Sequence, residues 1–207
     1  MADIIKLLYQ AVLPTSATSV YTAPQGKYTV IKSIFLSSLA NGTDRTFRMI
    51  IGGITVGYDH VVKSFKTLLL NDLNIFLLPG ESIQLHCPGG NMISQISGIE
   101  VDYIASEFPY IKSNGVLSVP SSAILNPDAS NDRLIKSLII TNPSSTSTEV
   151  VVQANGFALM YRQLIKPYDT LVVPMPNFFL IKGQTITANV ISGSGTLFGI
   201  VAKKVVQ

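Results

Sequence analysis

IKSIFLSSLANGTDRTFRMII, residues 31–51, decides the fold, because the chain writes its opening twice: IKSLIITNPSSTSTEVVV occupies residues 135–152. Each copy runs Ile-Lys-Ser, an apolar stretch, a polar turn and a second apolar stretch. The two starts are 135 − 31 = 104 residues apart. That is far too long for a solenoid repeat and about the size of one small domain.

Working outward, KYTVIKSIFLSS places Tyr28, Val30, Lys32 and Ile34 on one face of a strand and Thr29, Ile31, Ser33 and Phe35 on the other. Strict alternation of this kind marks a strand with a buried face. Asn41-Gly42 suits the positive φ of a tight turn, and RTFRMIIGG reads as the returning strand. Residues 54–64 are less regular. KTLLLNDLNIFLLPGESIQLHC then gives a strand, a short polar break, another strand, a Pro79-Gly80 turn and a further strand, and QISGIEVDYIA closes the half.

The second half repeats the order. YDTLVVPM is a short strand, FFLIKGQTITANVI is strand, Lys182-Gly183 turn and strand, and GTLFGIVAKKVV closes it. Gly183 sits where Gly80 does, and Gly199 is matched with Gly98, at offsets of 183 − 80 = 103 and 199 − 98 = 101. Closely spaced strands with turn signals between them mark antiparallel sandwiches, and no stretch of helical length keeps a 3.6-residue period. The expected fold is all-β: two tandem antiparallel β-sandwich domains of jelly-roll or immunoglobulin-like kind, residues 1–108 and 109–207, the second an internal repeat of the first.

Charged residues make up 13% of the 207 positions, against about 25% in ordinary soluble domains. A net charge of +3, with its Lys and Arg scattered, makes no nucleic-acid footprint. The single cysteine, Cys87, excludes an intrachain disulfide framework. Asp3 precedes the apolar start and Lys6, Tyr9 and Gln10 interrupt it, so no signal peptide is expected. No apolar run reaches membrane-spanning length, and no membrane partner is expected. Synthesis in the cytoplasm follows as an expectation.

Chemistry finds little purchase. His60 follows Asp59 and His86 precedes Cys87, without the spacing of a metal centre, and His86 and Cys87 should point to opposite faces of a strand. Gly193-Ser194-Gly195 reads as a hairpin tip rather than a nucleophile elbow. Asp44 and Asp59 lack the context of a carboxylate pair, and Gly52-Gly53 opens no phosphate-binding helix. Tyr103, Phe108, Tyr110, Tyr161, Tyr168, Phe178 and Phe179 read as core rather than as a sugar platform. No catalytic, cofactor-binding or metal-binding residue is assigned, and no cofactor is expected.

VYTAPQGKYTVIKSIFLSSLANGTDRTFRMIIGG, residues 20–53, resembles small bacteriophage virion proteins through Tyr21, Thr22, Pro24, Gly26, Lys27, Ile31, Lys32, Ser33 and Ile34. Leu78, Pro79, Gly80, Glu81 and Ile83 extend the likeness. The second half keeps Ile135, Lys136, Ser137, Leu138, Gly183 and Ile186, with Asn126-Pro127-Asp128 in place of the Pro-x-Gly-Lys turn. The resemblance implies a non-enzymatic structural protein of the virion, a head decoration or cement protein or a head or tail accessory. Its implied partners are itself, as a homo-oligomer, and other virion proteins such as major capsid or tail and neck subunits. The rival reading is a receptor- or carbohydrate-binding module of a phage tail, with loops at Ile54–Ser64 or Gly156–Lys166 offering aromatics to a host-surface glycan.

Overall fold

The computed structural model describes residues 4–39, 42–117 and 121–205, so Asn41 of the first turn lies outside the described residues. Among these the chain is all-β, with sixteen strands in four antiparallel four-stranded sheets and no helix. It divides into two compact units, Met1–Phe108 and Pro109–Gln207.

The first unit contains β1 (Lys6–Val12), β2 (Thr18–Thr22), β3 (Lys27–Ser38), β4 (Arg45–Ile51), β5 (Ile54–Val62), β6 (Thr67–Leu77), β7 (Ser82–His86) and β8 (Met92–Asp102). Its sheets run β1-β8-β3-β6 and β2-β7-β4-β5. The second contains β9 (Tyr110–Val116), β10 (Ser122–Leu125), β11 (Asp132–Thr141), β12 (Thr148–Ala154), β13 (Phe157–Ile165), β14 (Thr170–Leu180), β15 (Ile186–Ser192) and β16 (Leu197–Val205). Its sheets run β9-β16-β11-β14 and β10-β15-β12-β13.

Both units pair their strands in the same nested way. First meets eighth, second meets seventh, third meets sixth and fourth meets fifth, as in one long hairpin whose tip is the fourth-to-fifth turn. Two further pairings, third with eighth and fourth with seventh, complete the sheets. In the second unit one apolar cluster draws on both sheets, joining Ile135, Leu138 and Phe198 to Val150, Val152 and Ile186. Burying each such aliphatic side chain stabilises by about 1.5–3 kcal/mol before entropy is counted.

The repeated Ile-Lys-Ser marks a bulge. Ile31 faces Gly98 and Ser33 faces Ser97, which leaves Lys32 as an extra residue against β8. Ile135 faces Ala202 and Ser137 faces Val201, which leaves Lys136 extra against β16. An inserted residue shifts the side-chain phase by one. Strict alternation along β3 is therefore corrected: Ile31 and Ile34, three apart, are both fully buried while Phe35 reaches solvent. In β11 the equivalent Ile135, Leu138 and Ile140 share one core cluster.

The neighbouring strand bulges opposite the same lysine. Ile31 faces Ile75 and Ser33 faces Asn71, so three residues of β6 lie against Lys32. Asp72 and Asn74 there take positive φ, and Lys32 Nζ donates to Asn74 Oδ1 at 2.9 Å. In β14, residues 175–177 lie against Lys136 in the same manner. The polar break read after KTLLL and the separate strands read from YDTLVVPM and FFL are thus bulges inside single strands.

Positive-φ residues recur at one interval: Gly53 and Gly156, Asp59 and Arg162, Phe65 and Tyr168, Gly80 and Gly183 are each 103 apart, as 183 − 80 is. Ladder positions correct one sequence match. Gly98 faces Ile31 and Ala202 faces Ile135, so the counterpart of Gly98 is Ala202, not Gly199.

Turn chemistry follows the motif. Lys27 N donates to Pro24 O with Gly26 at φ +74°, closing the Pro-x-Gly-Lys turn. Leu78 N is capped by Glu81 Oε2 at 2.7 Å and Ile181 N by Gln184 Oε1 at 3.1 Å. Gly80 N donates to Ala23 O, and Gly183 N donates to Asp128 O. The Asn126-Pro127-Asp128 segment thus receives the same glycine amide by a different turn, built on Asp128 Oδ1 accepting from Ser130 N and Asn131 N.

Tyr21 of the motif ties the sheets of the first unit together. Its hydroxyl is hydrogen-bonded to Thr29 Oγ1 on β3 at 2.9 Å and donates to Glu100 Oε1 on β8 at 3.0 Å. Glu100 Oε2 in turn accepts from Lys6 Nζ of β1 at 2.8 Å. Burial, reinforced by the Glu100 carboxylate, pushes the Tyr21 hydroxyl up to about 12. The folded state then holds this proton more tightly than the unfolded chain, whose tyrosines titrate near 10. The associated stability is complete below about pH 10 and is lost as pH rises towards about 12. Absorbance titration should show a late step among the eight tyrosines that vanishes in Tyr21→Phe. An identical profile for wild type and variant would refute the contact.

Candidate functional site

The residues singled out from sequence scatter. Cys87 is buried, its thiol donating to Gly90 O at 3.2 Å, and burial raises its pKa. His86, the last residue of β7, lies half-buried, and Cys87 follows the strand rather than sharing it. His60 lies against the Phe47 ring with centroids 5.4 Å apart. Asp44 accepts from Lys63 Nζ at 2.7 Å and from Ser64 N, whereas Asp59 pairs with Arg48, so the two carboxylates serve separate contacts. Gly193 packs on Thr148, whose hydroxyl donates to Ser192 O at 2.8 Å and meets Thr196 Oγ1 at 3.1 Å, fixing the tip between β15 and β16.

The aromatic residues divide between interior and surface. Phe108 sits among Tyr28, Phe76 and Tyr103 at 5.0, 5.1 and 5.3 Å between ring centroids. Phe178 packs on the core of the second unit, and Lys203 Nζ lies 5.8 Å from the Tyr110 ring centre. Tyr161 and Phe179 are exposed. Residues 54–64 and 156–166, read as loops, consist mainly of the edge strands β5 and β13. Bulges at Asp59 and Arg162 broke the alternation that would have revealed them.

One small cavity gathers side chains of three strands. It occupies about 230 Å³ on the outer face of the β2-β7-β4-β5 sheet and is lined by Arg48, Ile50, Thr55, Tyr58, Gln84 and His86. Arg48 Nε and Nη2 donate to the two oxygens of Asp59, both at 2.7 Å. The guanidinium lies 4.4 Å from the Tyr58 ring centre. A bidentate pair stacked on an aromatic ring holds a planar fork in one orientation. Burial, then the charge of Arg48, pushes His86 below the ordinary imidazole value, with Asp59 pulling it back.

No protein-family model and no curated protein matches the chain. Among solved structures it is similar to the major capsid protein P2 of bacteriophage PM2, at 10% identity over 99% of both chains with a TM-score of 0.39. It is also similar to the STIV MCP, at 12% identity over 99% of this chain and 97% of that one, TM-score 0.30. A third is the fucolectin of striped bass (Morone saxatilis) serum, at 10% identity over 98% and 97%, TM-score 0.28. Scores of this size assign no shared function, which has to come from the chain's own residues.

The second unit differs at the matching places. By ladder position, Arg48, Gln84 and His86 correspond to Val151, Thr187 and Asn189, and Asp59 corresponds to Arg162. Arg162 instead pairs with Glu149 at 2.9 Å on the surface. β13 is the end strand of its sheet, and it presents Phe157, Tyr161 and Leu164 at 78%, 76% and 55% exposure. Sequence reasoning named Tyr161 but not Arg48 or Gln84, which belong to no motif and meet their partners only through the cross-strand register.

Proposed function

We propose that the chain is a non-enzymatic structural protein of a bacteriophage virion, a capsid decoration or cement protein or a head or tail accessory, that works by adhesion between subunits. In this reading each unit is one jelly-roll sandwich, the two being tandem copies over residues 1–108 and 109–207. The nested strand order supports that form over an immunoglobulin-like one, since an eight-stranded double-sheet roll is the jelly-roll plan. The shared bulges at Lys32 and Lys136 support the duplication. The motif around Tyr21, Gly26 and Ile31 supports the virion assignment.

The observation that carries the adhesive role is β13. An end strand offers backbone donors and acceptors for pairing, and proteins that stay monomeric usually guard such edges with charge or proline. Here the guard is one Arg162–Glu149 pair set among three large exposed apolar side chains. The occupant proposed for this edge is a second copy of the chain, with other virion subunits binding the assembled oligomer.

Sedimentation of the purified protein should show an oligomer, and the double variant Phe157→Lys with Tyr161→Glu should sediment as a monomer while keeping its β-rich circular dichroism. The wild-type protein should also bind particles that lack it. A wild type that stays monomeric at its highest soluble concentration and ignores such particles would sink the proposal.

A further inference from the structure

The cavity around Arg48 asks for a different partner from the β13 edge. Its floor is the outer face of a sheet whose inner face, with Phe47, Met49, Ile83 and Leu85, is fully buried. On the outer face the fold asks only for side chains that tolerate water. The first unit has instead lined one small space with an arginine, a tyrosine, an imidazole and an amide, with Ile50 and Ala17 as apolar wall, and Asp59 holds the arginine from outside the lining.

The second unit serves as an internal control. It builds the same strands with the same bulge, Asp59 at φ +53° and Arg162 at φ +50°, yet carries Val151 and Asn189 where the first unit has Arg48 and His86. A backbone of this shape therefore forms without the polar cluster. The cluster is an addition to the fold, and the chemistry of its groups indicates what it serves.

The charges of Arg48 and Asp59 compensate each other through two 2.7 Å hydrogen bonds, so the cavity holds no uncompensated cation for a phosphate or carboxylate ligand. What remains is a mainly apolar wall carrying a few neutral-type donors and acceptors. The Arg48 guanidinium has N–H groups beyond the two that Asp59 takes, and the Gln84 amide and a neutral His86 each offer both a donor and an acceptor. Adjacent hydroxyl groups, each donor and acceptor at once, match such a set, while Ile50 and Ala17 suit the C–H face of a ring. The volume lies below the roughly 300–1,000 Å³ of sites for drug-sized ligands, which points to one ring.

We infer that this cavity of the first unit, between Arg48, Tyr58, Gln84 and His86, binds a single neutral sugar residue, such as the terminal hexose of a glycan. Arg48, held in place by Asp59, donates to a ring hydroxyl, and Gln84 and His86 select the ring by its remaining ones. The bidentate pair and the stacked Tyr58 set this geometry before the ligand arrives, which lowers the entropy lost on binding. The inference stands on the first unit alone and is independent of whether the β13 edge binds another copy.

The test is saturation-transfer NMR on the full chain with the methyl glycosides of glucose, galactose and mannose, and with sialic acid as an anionic probe. At least one neutral glycoside should bind, with affinity falling about tenfold or more in Arg48→Met and in Gln84→Ala, and unchanged in Asn189→Ala. Gln84 is exposed, so its truncation leaves the fold intact and keeps the test decisive even if Arg48→Met fails to fold. Absence of any neutral glycoside signal from folded wild type, binding that survives Gln84→Ala, or preference for sialic acid would each overturn the inference.

Discussion

Replacing Arg133 by alanine is expected to destabilise the second unit by about 3 kcal/mol, the largest effect anticipated for any single side chain here. Arg133 is 2% exposed, the bulkiest of the fully buried residues, and lies on β11 beside the core. Its Nη1 donates to Asn126 O at 2.7 Å and its Nη2 to Gln184 O at 3.0 Å. One guanidinium thereby holds the segment after β10 to the turn between β14 and β15. Burial pulls its pKa down while the Asp128 carboxylate pulls it up, and arginine stays protonated throughout the neutral range.

Truncation removes two charge-assisted hydrogen bonds, each worth about 1.5–3 kcal/mol, and opens a cavity. Relief of the guanidinium's desolvation returns part of that sum, which is why the net loss falls short of the gross one. Arg133→Met keeps much of the volume without the charge and should recover part of the loss. Urea denaturation gives the size of the effect, and hydrogen exchange its location: amides of β11 and β15 should lose protection while those of β3 and β8 keep theirs. A loss below about 1 kcal/mol, or a methionine variant worse than alanine, would show that the two carbonyls do not depend on this side chain.

The first unit fills the matching place with other residues and makes different contacts there. Thr29 stands one position past Tyr28, as Arg133 does past Asp132, and it too is fully buried on the third strand of its unit. There the hydroxyl of Tyr21 supplies the cross-link. Strands and turns were legible in the sequence because they depend on near neighbours: apolar runs, Gly26, Gly80 and Gly183 state their own local geometry. Bulges were not, since Lys32 reads as one more alternating residue until the partners Gly98 and Ser97 are known. The same limit hid the cavity. Arg48 and Asp59 are 59 − 48 = 11 apart, and only the register of β4 against β5, broken between Phe47 and Met49, brings them together.

Gly98→Ala is expected to destabilise the first unit by about 2 kcal/mol, although alanine ordinarily suits a strand better than glycine by about 0.5–1 kcal/mol. Gly98 lies between β1 and β3, facing Lys6 and Ile31, at the point where Lys32 bulges. A Cβ added there would stand 2.6 Å from Val30 O and 2.7 Å from Leu8 Cδ1. The leucine methyl can swing aside, but the carbonyl belongs to the β3 backbone and moves only with its ladder. Overpacking of this kind costs about 1–3 kcal/mol, which exceeds the entropic gain. The second unit makes the reverse experiment available: Ala202, at the equivalent position, is fully buried in the core, so Ala202→Gly should lose about 1–2 kcal/mol from a missing methyl and a looser strand. Measured by urea denaturation on one background, both substitutions should therefore destabilise, although they exchange the same two residues in opposite directions. A stabilising Gly98→Ala would mean that β3 yields at its bulge, and that the repeated Ile-Lys-Ser bends the sheet without fixing how closely its strands approach.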